Sequence, residues 1–251
     1  MVNNMVNKIV KMTVVIAVIG VMCAYLYVTL KFALMRTALV QSATMRDMGW
    51  ILRNVHDGDV VFFASRDPKL MTRSIGVYLK TCFYHVGIVV HVGGEMQLMH
   101  FIEPHHRAIF QGRALEGCPA DGLCVSNMDV FLRAHGVGTV VAIMTPVVPQ
   151  DGATLVTIGR SIACGVVNAT YDTDFVGSYV RSMLFKINAR NLHCNTFVGL
   201  LLERIGILPV ERNPTQAYIP GATMHAMKQS GAFHDPEIVL VALVRDLRVE
   251  S

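Results

Sequence analysis

Charge is what this chain has least of. Only 16% of its 251 residues are Asp, Glu, Lys or Arg while 53% are hydrophobic, which points to a membrane segment or an unusually apolar domain. The net charge of +4 is modest and no basic run is interleaved with aromatics, so no nucleic-acid partner is expected. Cysteine is also thin: Cys23, Cys82, Cys118, Cys124, Cys164 and Cys194 are too few for a disulfide framework in a chain this long. Cys118 and Cys124, in "CPADGLC", could bridge in an oxidising compartment or remain thiols. They lack zinc-site spacing, and no second paired cluster accompanies them. The "EPHHR" cluster is no better a metal site, because the adjacent His105 and His106 point apart on an extended chain. No metal and no cofactor are expected. Internal repeats and low-complexity tracts are missing, which excludes a solenoid.

What is present begins with a long apolar run. The stretch "MTVVIAVIGVMCAYLYVTL", residues 12–30, carries no charge over nineteen residues. At 1.5 Å rise per residue that is enough to cross a hydrocarbon core of about 30 Å. A cleaved signal peptide would have a shorter apolar stretch ending in small residues, whereas Tyr25, Leu26 and Tyr27 continue this one. A lipoprotein reading of Cys23 fails on the bulky Met22 before it. An uncleaved single-pass membrane anchor is therefore expected. Lys8 and Lys11 precede the run, and Lys31, Arg36 and Arg46 follow it, opposed by Asp47. That slight excess favours a cytoplasmic domain.

The expected organisation is an N-terminal tail over residues 1–11, the anchor over 12–30, a juxtamembrane connector over 31–55 and one α+β domain over 56–251. "HDGDVVFFAS" reads as a turn into a β-prone run. "SIGVYLKTCFYHVGIVVHVGG" passes through a helix into a strand, and Gly93-Gly94 signals a hairpin whose return strand is "EMQLMHFIEP". "VGTVVAIMTP" is a further strand, and "DGATLVTIGRSIACGVV" is a helix with Asp151 near its cap. "PEIVLVALVRDL" is β-branched and reads as a last strand.

The chemistry centres on "NLHCNTFVGLLLERIG". Phe197, Val198, Leu201, Leu202 and Ile205 form one helical stripe, which places Cys194 at a helix N-terminus. There the backbone dipole and unpaired amides favour a thiolate, so Cys194 is expected to titrate below the free value of about 8.5. A free cysteine is otherwise a small apolar residue in a core, and a base distinguishes the two roles. His193 cannot be that base, since neighbours at i and i+1 on a helix do not face each other. On the hairpin, strand alternation allows His85 and His100 to share one face. His85 is then the base for Cys194, and His100 the group that holds its tautomer. The other histidines, among them His91, His106 and His135, read as structural.

The order of these parts resembles the circularly permuted papain-like branch of the NlpC-type hydrolases, which includes YiiX-like proteins, a poxviral member and lecithin retinol acyltransferases. The resemblance rests on a "GD" turn at Gly58-Asp59, the "YHVGIVV" strand, a polar residue on the hairpin, a "YD" turn at Tyr171-Asp172 and a cysteine heading an apolar helix. It implies a permuted papain-like domain with an antiparallel sheet packed on the cysteine helix. It also implies Cys194 as nucleophile, His85 as base and His100 at the third polar position, with Glu103 as a fallback. YiiX-like members look to have glutamate where His100 stands and the acyltransferases histidine, which leaves hydrolysis and acyl transfer both open. Tyr171 is a candidate to line the cleft or donate to an oxyanion, a core packing role being the alternative.

The function expected is a membrane-anchored thiol hydrolase or acyltransferase that cleaves an amide or ester bond through a Cys194 thioester. Its partners would be a lipid, peptide or acylated protein substrate at a membrane. The alternative is a non-catalytic membrane-tethered binding or viral structural protein that keeps the fold.

Overall fold

The computed structural model describes residues 2–64, 66, 68–102, 104–115, 118, 122–165, 170–171, 191–208 and 220–242. Helix α1, Val2–Gln41, is unbroken, and its stretch Lys11–Gln41 is long and apolar enough to cross a membrane. From Met12 to Tyr27 and at Leu30 its large apolar side chains are exposed. The last turns behave differently. Phe32 is buried, and the Arg36 guanidinium donates from Nη2 to the Gly138 carbonyl at 2.8 Å. Gly76 makes the seat for Phe32: a Cβ there would stand 2.9 Å from the Phe32 ring and 2.7 Å from the Thr81 carbonyl oxygen. The end of α1 is thus fastened to α3, Leu70–Leu79.

Between them lie β1, Thr44–Arg46, and α2, Met48–Asn54, the latter capped by the Asp47 carboxylate accepting from the Trp50 N–H. Strand β2, Val60–Ala64, is "VVFFA", buried at every position. A strand apolar on both sides needs cover on both faces, and it has it. Strands β3, His85–Val92, and β4, Glu95–Phe101, form the hairpin with Ile88 opposite Met99 and Val92 opposite Glu95. Its two turn residues have φ of +63° at Gly93 and +81° at Gly94, a left-handed pair that glycine adopts without strain. There follow α4, Pro104–Ile109; β5, Arg113–Ala114; β6, Leu123–Asn127; α5, Met128–His135; and β7, Val140–Met144. Then come α6, Gly152–Gly165; the short pair β8, Thr170–Tyr171, and β9, Asn191–Leu192; α7, Cys194–Arg204; α8, Pro220–Gln229; and β10, Glu237–Val241.

Eight strands form one sheet in the order β1-β10-β7-β2-β3-β4-β6-β5. The expectation of an antiparallel sheet needs correcting, because β1 runs parallel to β10, with Met45 opposite Leu240. The fold is α+β with a mixed sheet. Helices cover both faces. Val60, Phe62, Val86, Ile88 and Met99 pack with Leu155 of α6, Phe197 and Leu201 of α7 and Met227 of α8. Val61, Phe63, Val89 and Leu98 pack on the opposite side with Ile51 of α2 and Phe131 and Leu132 of α5. At about 25 cal/mol per Å² of apolar area, such double burial is the main stabilising term of the domain.

Candidate active site

Helix α7 starts where the sequence places it. His193 occupies the N-cap in extended backbone without capping the helix through its side chain, and its Nε2 lies 2.8 Å from the Thr196 hydroxyl. His193 is therefore occupied with its own helix. Cys194 is 5% exposed, and three backbone N–H groups point at its sulfur: those of Val86, Asn195 and Cys194 itself. Val86 follows His85 on β3, so the sulfur sits beside the peptide that joins the two. The expected acidic thiol is not found. Loss of water around the sulfur outweighs the three N–H groups and pushes its pKa up to about 11. A helix N-terminus favours a thiolate only to the extent that the sulfur is hydrated or paired with a cation, and here it is neither.

His85 and His100 meet. His85 Nε2 and His100 Nδ1 are 2.8 Å apart, the rings at 80° to each other. Strand alternation puts the two residues on one face, and Gly87 leaves the space: a Cβ there would be 3.1 Å from His100 Cβ and 2.7 Å from Leu98 Cγ. Sequence reasoning missed the next member. His100 Nε2 lies 2.9 Å from the Ser126 hydroxyl, and the sulfur of Cys124, two residues earlier on β6, is hydrogen-bonded to that hydroxyl. Cys124 is buried and held as a thiol, its pKa pushed up to about 12. If Ser126 gives its hydrogen to Cys124, it accepts from His100 Nε2–H, His100 Nδ1 accepts from His85 Nε2–H, and the lone pair of His85 is left on Nδ1; the reverse order leaves a hydrogen there.

Both imidazoles are kept neutral. Burial pulls His85 well below 6.5, reinforced by the nearby His100, His135 and His106. Burial, with His135 adding to it, takes His100 to about 3. The apolar wall is Phe63 and Phe131, whose ring centroids lie 6.1 and 5.5 Å from that of His85. His135 lies in the same cluster, 4.4 Å from Phe131 and 5.3 Å from Phe63, and its Nδ1–H donates to the Phe131 carbonyl at 3.0 Å. Its packing against these rings is a second feature that spacing alone does not reveal.

The two halves of the site approach from different sides. The hairpin packs on α7 through Val86 and Ile88, whereas the histidine rings face Phe63 and Phe131 on the α5 side. Alternation requires this, since His85 and Val86 are neighbours. His85 is the first residue of β3 and Cys194 the first of α7, and it is the Val86 N–H, one peptide after His85, that the Cys194 sulfur adjoins.

Of the remaining predicted residues, Gly58 has φ of +90° and the Asp59 carboxylate accepts from the His56 N–H at 2.8 Å, as a structural turn requires. Tyr171 belongs to β8, and its side chain lies outside the described residues, as do Glu103 and Asp172. Among the described residues no three of His, Cys, Asp and Glu gather so as to hold a metal ion.

No protein-family model matches the chain, and no curated protein matches its sequence. Among solved structures it is similar to the crystal structure of the metalloprotein yiiX from Escherichia coli O157:H7, DUF1105. The TM-score is 0.39 and the identity 12%, over 74% of this chain and 88% of that one. A likeness of that degree assigns no function.

Proposed function

We propose that this chain is a membrane-anchored cysteine hydrolase or acyltransferase with Cys194 as nucleophile, His85 as base and His100 as the group that fixes the base. The observation that supports it most is the contact series Cys124, Ser126, His100, His85, which in the tautomer we propose leaves a lone pair on His85 Nδ1, one peptide before the Val86 N–H that the Cys194 sulfur adjoins. Thiol and imidazole are both neutral at rest. The thiol proton therefore passes to His85 Nδ1 as the sulfur attacks the carbonyl carbon, rather than beforehand. The new S–C bond places the oxyanion near the N–H groups at the start of α7, with that of Cys194 the leading donor. Losing such a donor typically costs about a hundred- to a thousandfold in rate. His85 then protonates the leaving amine or alcohol as the C–N or C–O bond breaks, which leaves a thioester. Water or an acyl acceptor gives its proton to His85, attacks the thioester and returns Cys194 to the thiol. Tyr171 remains a candidate to line the cleft.

The membrane end of the domain favours a lipid, or a peptide or acylated protein held at the bilayer, as substrate. Phe32, two residues beyond the uncharged run, packs against Gly76, nine residues before His85. The strand that carries His85 thus follows closely in sequence on the helix that holds the end of α1. We place the domain on the cytoplasmic side, as the flanking charges favour.

One observation supports the non-catalytic reading: the Cys194 sulfur is almost closed off from solvent. Turnover of p-nitrophenyl esters of short and long fatty acids by the full chain in nonionic micelles separates the two. Catalysis requires that Cys194→Ser abolish turnover and that His85→Ala lower it about a hundred- to ten-thousandfold. Equal background rates for all three proteins would leave the binding reading.

A further inference from the structure

Of the six cysteines, two face each other away from the site described above. The Cys118 and Cys164 sulfurs are 2.7 Å apart, closer than two sulfurs rest without bonding, although 46 residues separate them. Each is held from behind. The Cys118 N–H donates to the Leu115 carbonyl at 3.0 Å, and Leu115 belongs to the buried core. Cys164 stands in the last turn of α6, directly after the buried Ile162 and Ala163. Neither backbone has to travel for the sulfurs to meet, which is the usual obstacle to a bridge. Access also differs from that of the other buried thiols: Cys164 is exposed and Cys118 half-buried, whereas Cys124 and Cys194 are closed off.

We propose that Cys118 and Cys164 are a disulfide-forming pair, oxidised by thiol–disulfide exchange with a low-molecular-weight disulfide such as glutathione disulfide. This does not depend on the reading of Cys194. The more exposed Cys164 gives up its proton and attacks one sulfur of the small disulfide, whose S–S bond breaks to release the first small thiol. Cys118 then attacks the Cys164 sulfur of the mixed disulfide, and the second small thiol leaves. The two protein protons end on the two released thiols, and the protein pair has lost two electrons to the small disulfide. Burial and the facing Cys164 push the Cys118 thiol up to about 12, which Arg160, one turn earlier on α6, offsets in part; once Cys164 is in the mixed disulfide its share of that rise is gone. The bridge fastens the segment before β6, the strand of Ser126, to α6, which shares the core with α7. It also replaces the Cys118–Cys124 pairing that sequence proximity suggests, since Cys124 is buried in β6 and engaged with Ser126.

The test is to incubate the full chain in nonionic micelles with a glutathione redox series, block free thiols and map peptides without reduction. The expected result is a Cys118–Cys164 linked peptide, with a mass lower by two hydrogens than the sum of the free pair. It should persist in Cys124→Ser, vanish in Cys164→Ser and be reversed by dithiothreitol. A Cys118–Cys124 link, a glutathione adduct that stays on Cys164, or both thiols free under oxidising poise would each overturn the proposal.

Discussion

Acid should unfold this domain through its two buried imidazoles, and the loss can be assigned to one of them. His100 has no exposed surface and titrates near 3 in the folded protein against 6.5 for a free histidine. Below pH 6.5 the unfolded chain takes up a proton at this residue that the folded chain refuses, so the stability of the folded state falls as pH falls. At 1.36 kcal/mol per pH unit, His100 alone costs the fold about 2.7 kcal/mol between pH 7.5 and 4.5. His85 is shifted in the same direction and acts with the same sign. His100→Phe removes one titrating group. It also strips His85 Nε2 and Ser126 of a partner, which offsets the curve at every pH, and relieves the lowering of His85 by His100, which can only enlarge the difference in slope from wild type. The assay is urea unfolding of the full chain in nonionic micelles, followed by the fluorescence of the single tryptophan, Trp50. The wild-type chain should lose about 2.7 kcal/mol more than His100→Phe between pH 7.5 and 4.5. Parallel curves would mean that His100 is protonated in the folded state, and the neutral relay would be wrong.

Ser126→Ala should leave the buried His100 Nε2 without its hydroxyl partner and destabilise the fold by about 1–3 kcal/mol. It should also shift the acid limb of any Cys194-dependent pH–rate profile, an effect that mere loosening would not produce. Gly87→Ala would drive a Cβ to within 2.7 Å of Leu98 Cγ, with an expected loss of about 1–3 kcal/mol in urea unfolding; an unchanged midpoint would show that the hairpin has slack there. Iodoacetamide labelling resolved by peptide should give Cys194 a midpoint near 11. At neutral pH its rate should then be roughly a hundredfold below that of a thiol titrating at 9.0, and a midpoint at or below 8.5 would contradict the burial argument.

Local signals carried much of this fold. The β3–β4 hairpin is written in Gly93-Gly94 and the alternation on either side, and α7 in a stripe at helical period. The final strand declares itself through β-branched residues behind a proline. Strand β1 does not, because three residues, "TMR", have no period to read and their partner lies almost two hundred positions away. The meeting of His85 with His100 follows from alternation plus the turn. Ser126 does not, since it reaches His100 from a third strand 26 residues on and serine has no spacing of its own. The acidity expected of Cys194 went astray for a related reason. The helix start is local and visible, whereas the removal of water around the sulfur is produced by the whole fold.

The central claim is that Cys194 takes up an acyl group with the help of His85. It is tested most directly by mixing the full chain in nonionic micelles with a p-nitrophenyl fatty ester, quenching in acid and locating the acyl group by peptide mass. The account predicts a thioester on the Cys194 peptide, absent from Cys194→Ser and formed at least about a hundredfold more slowly by His85→Ala. Acylation spread over Cys82, Cys118 and Cys164 at equal rates, or a Cys194 adduct that forms as fast without His85, would contradict it.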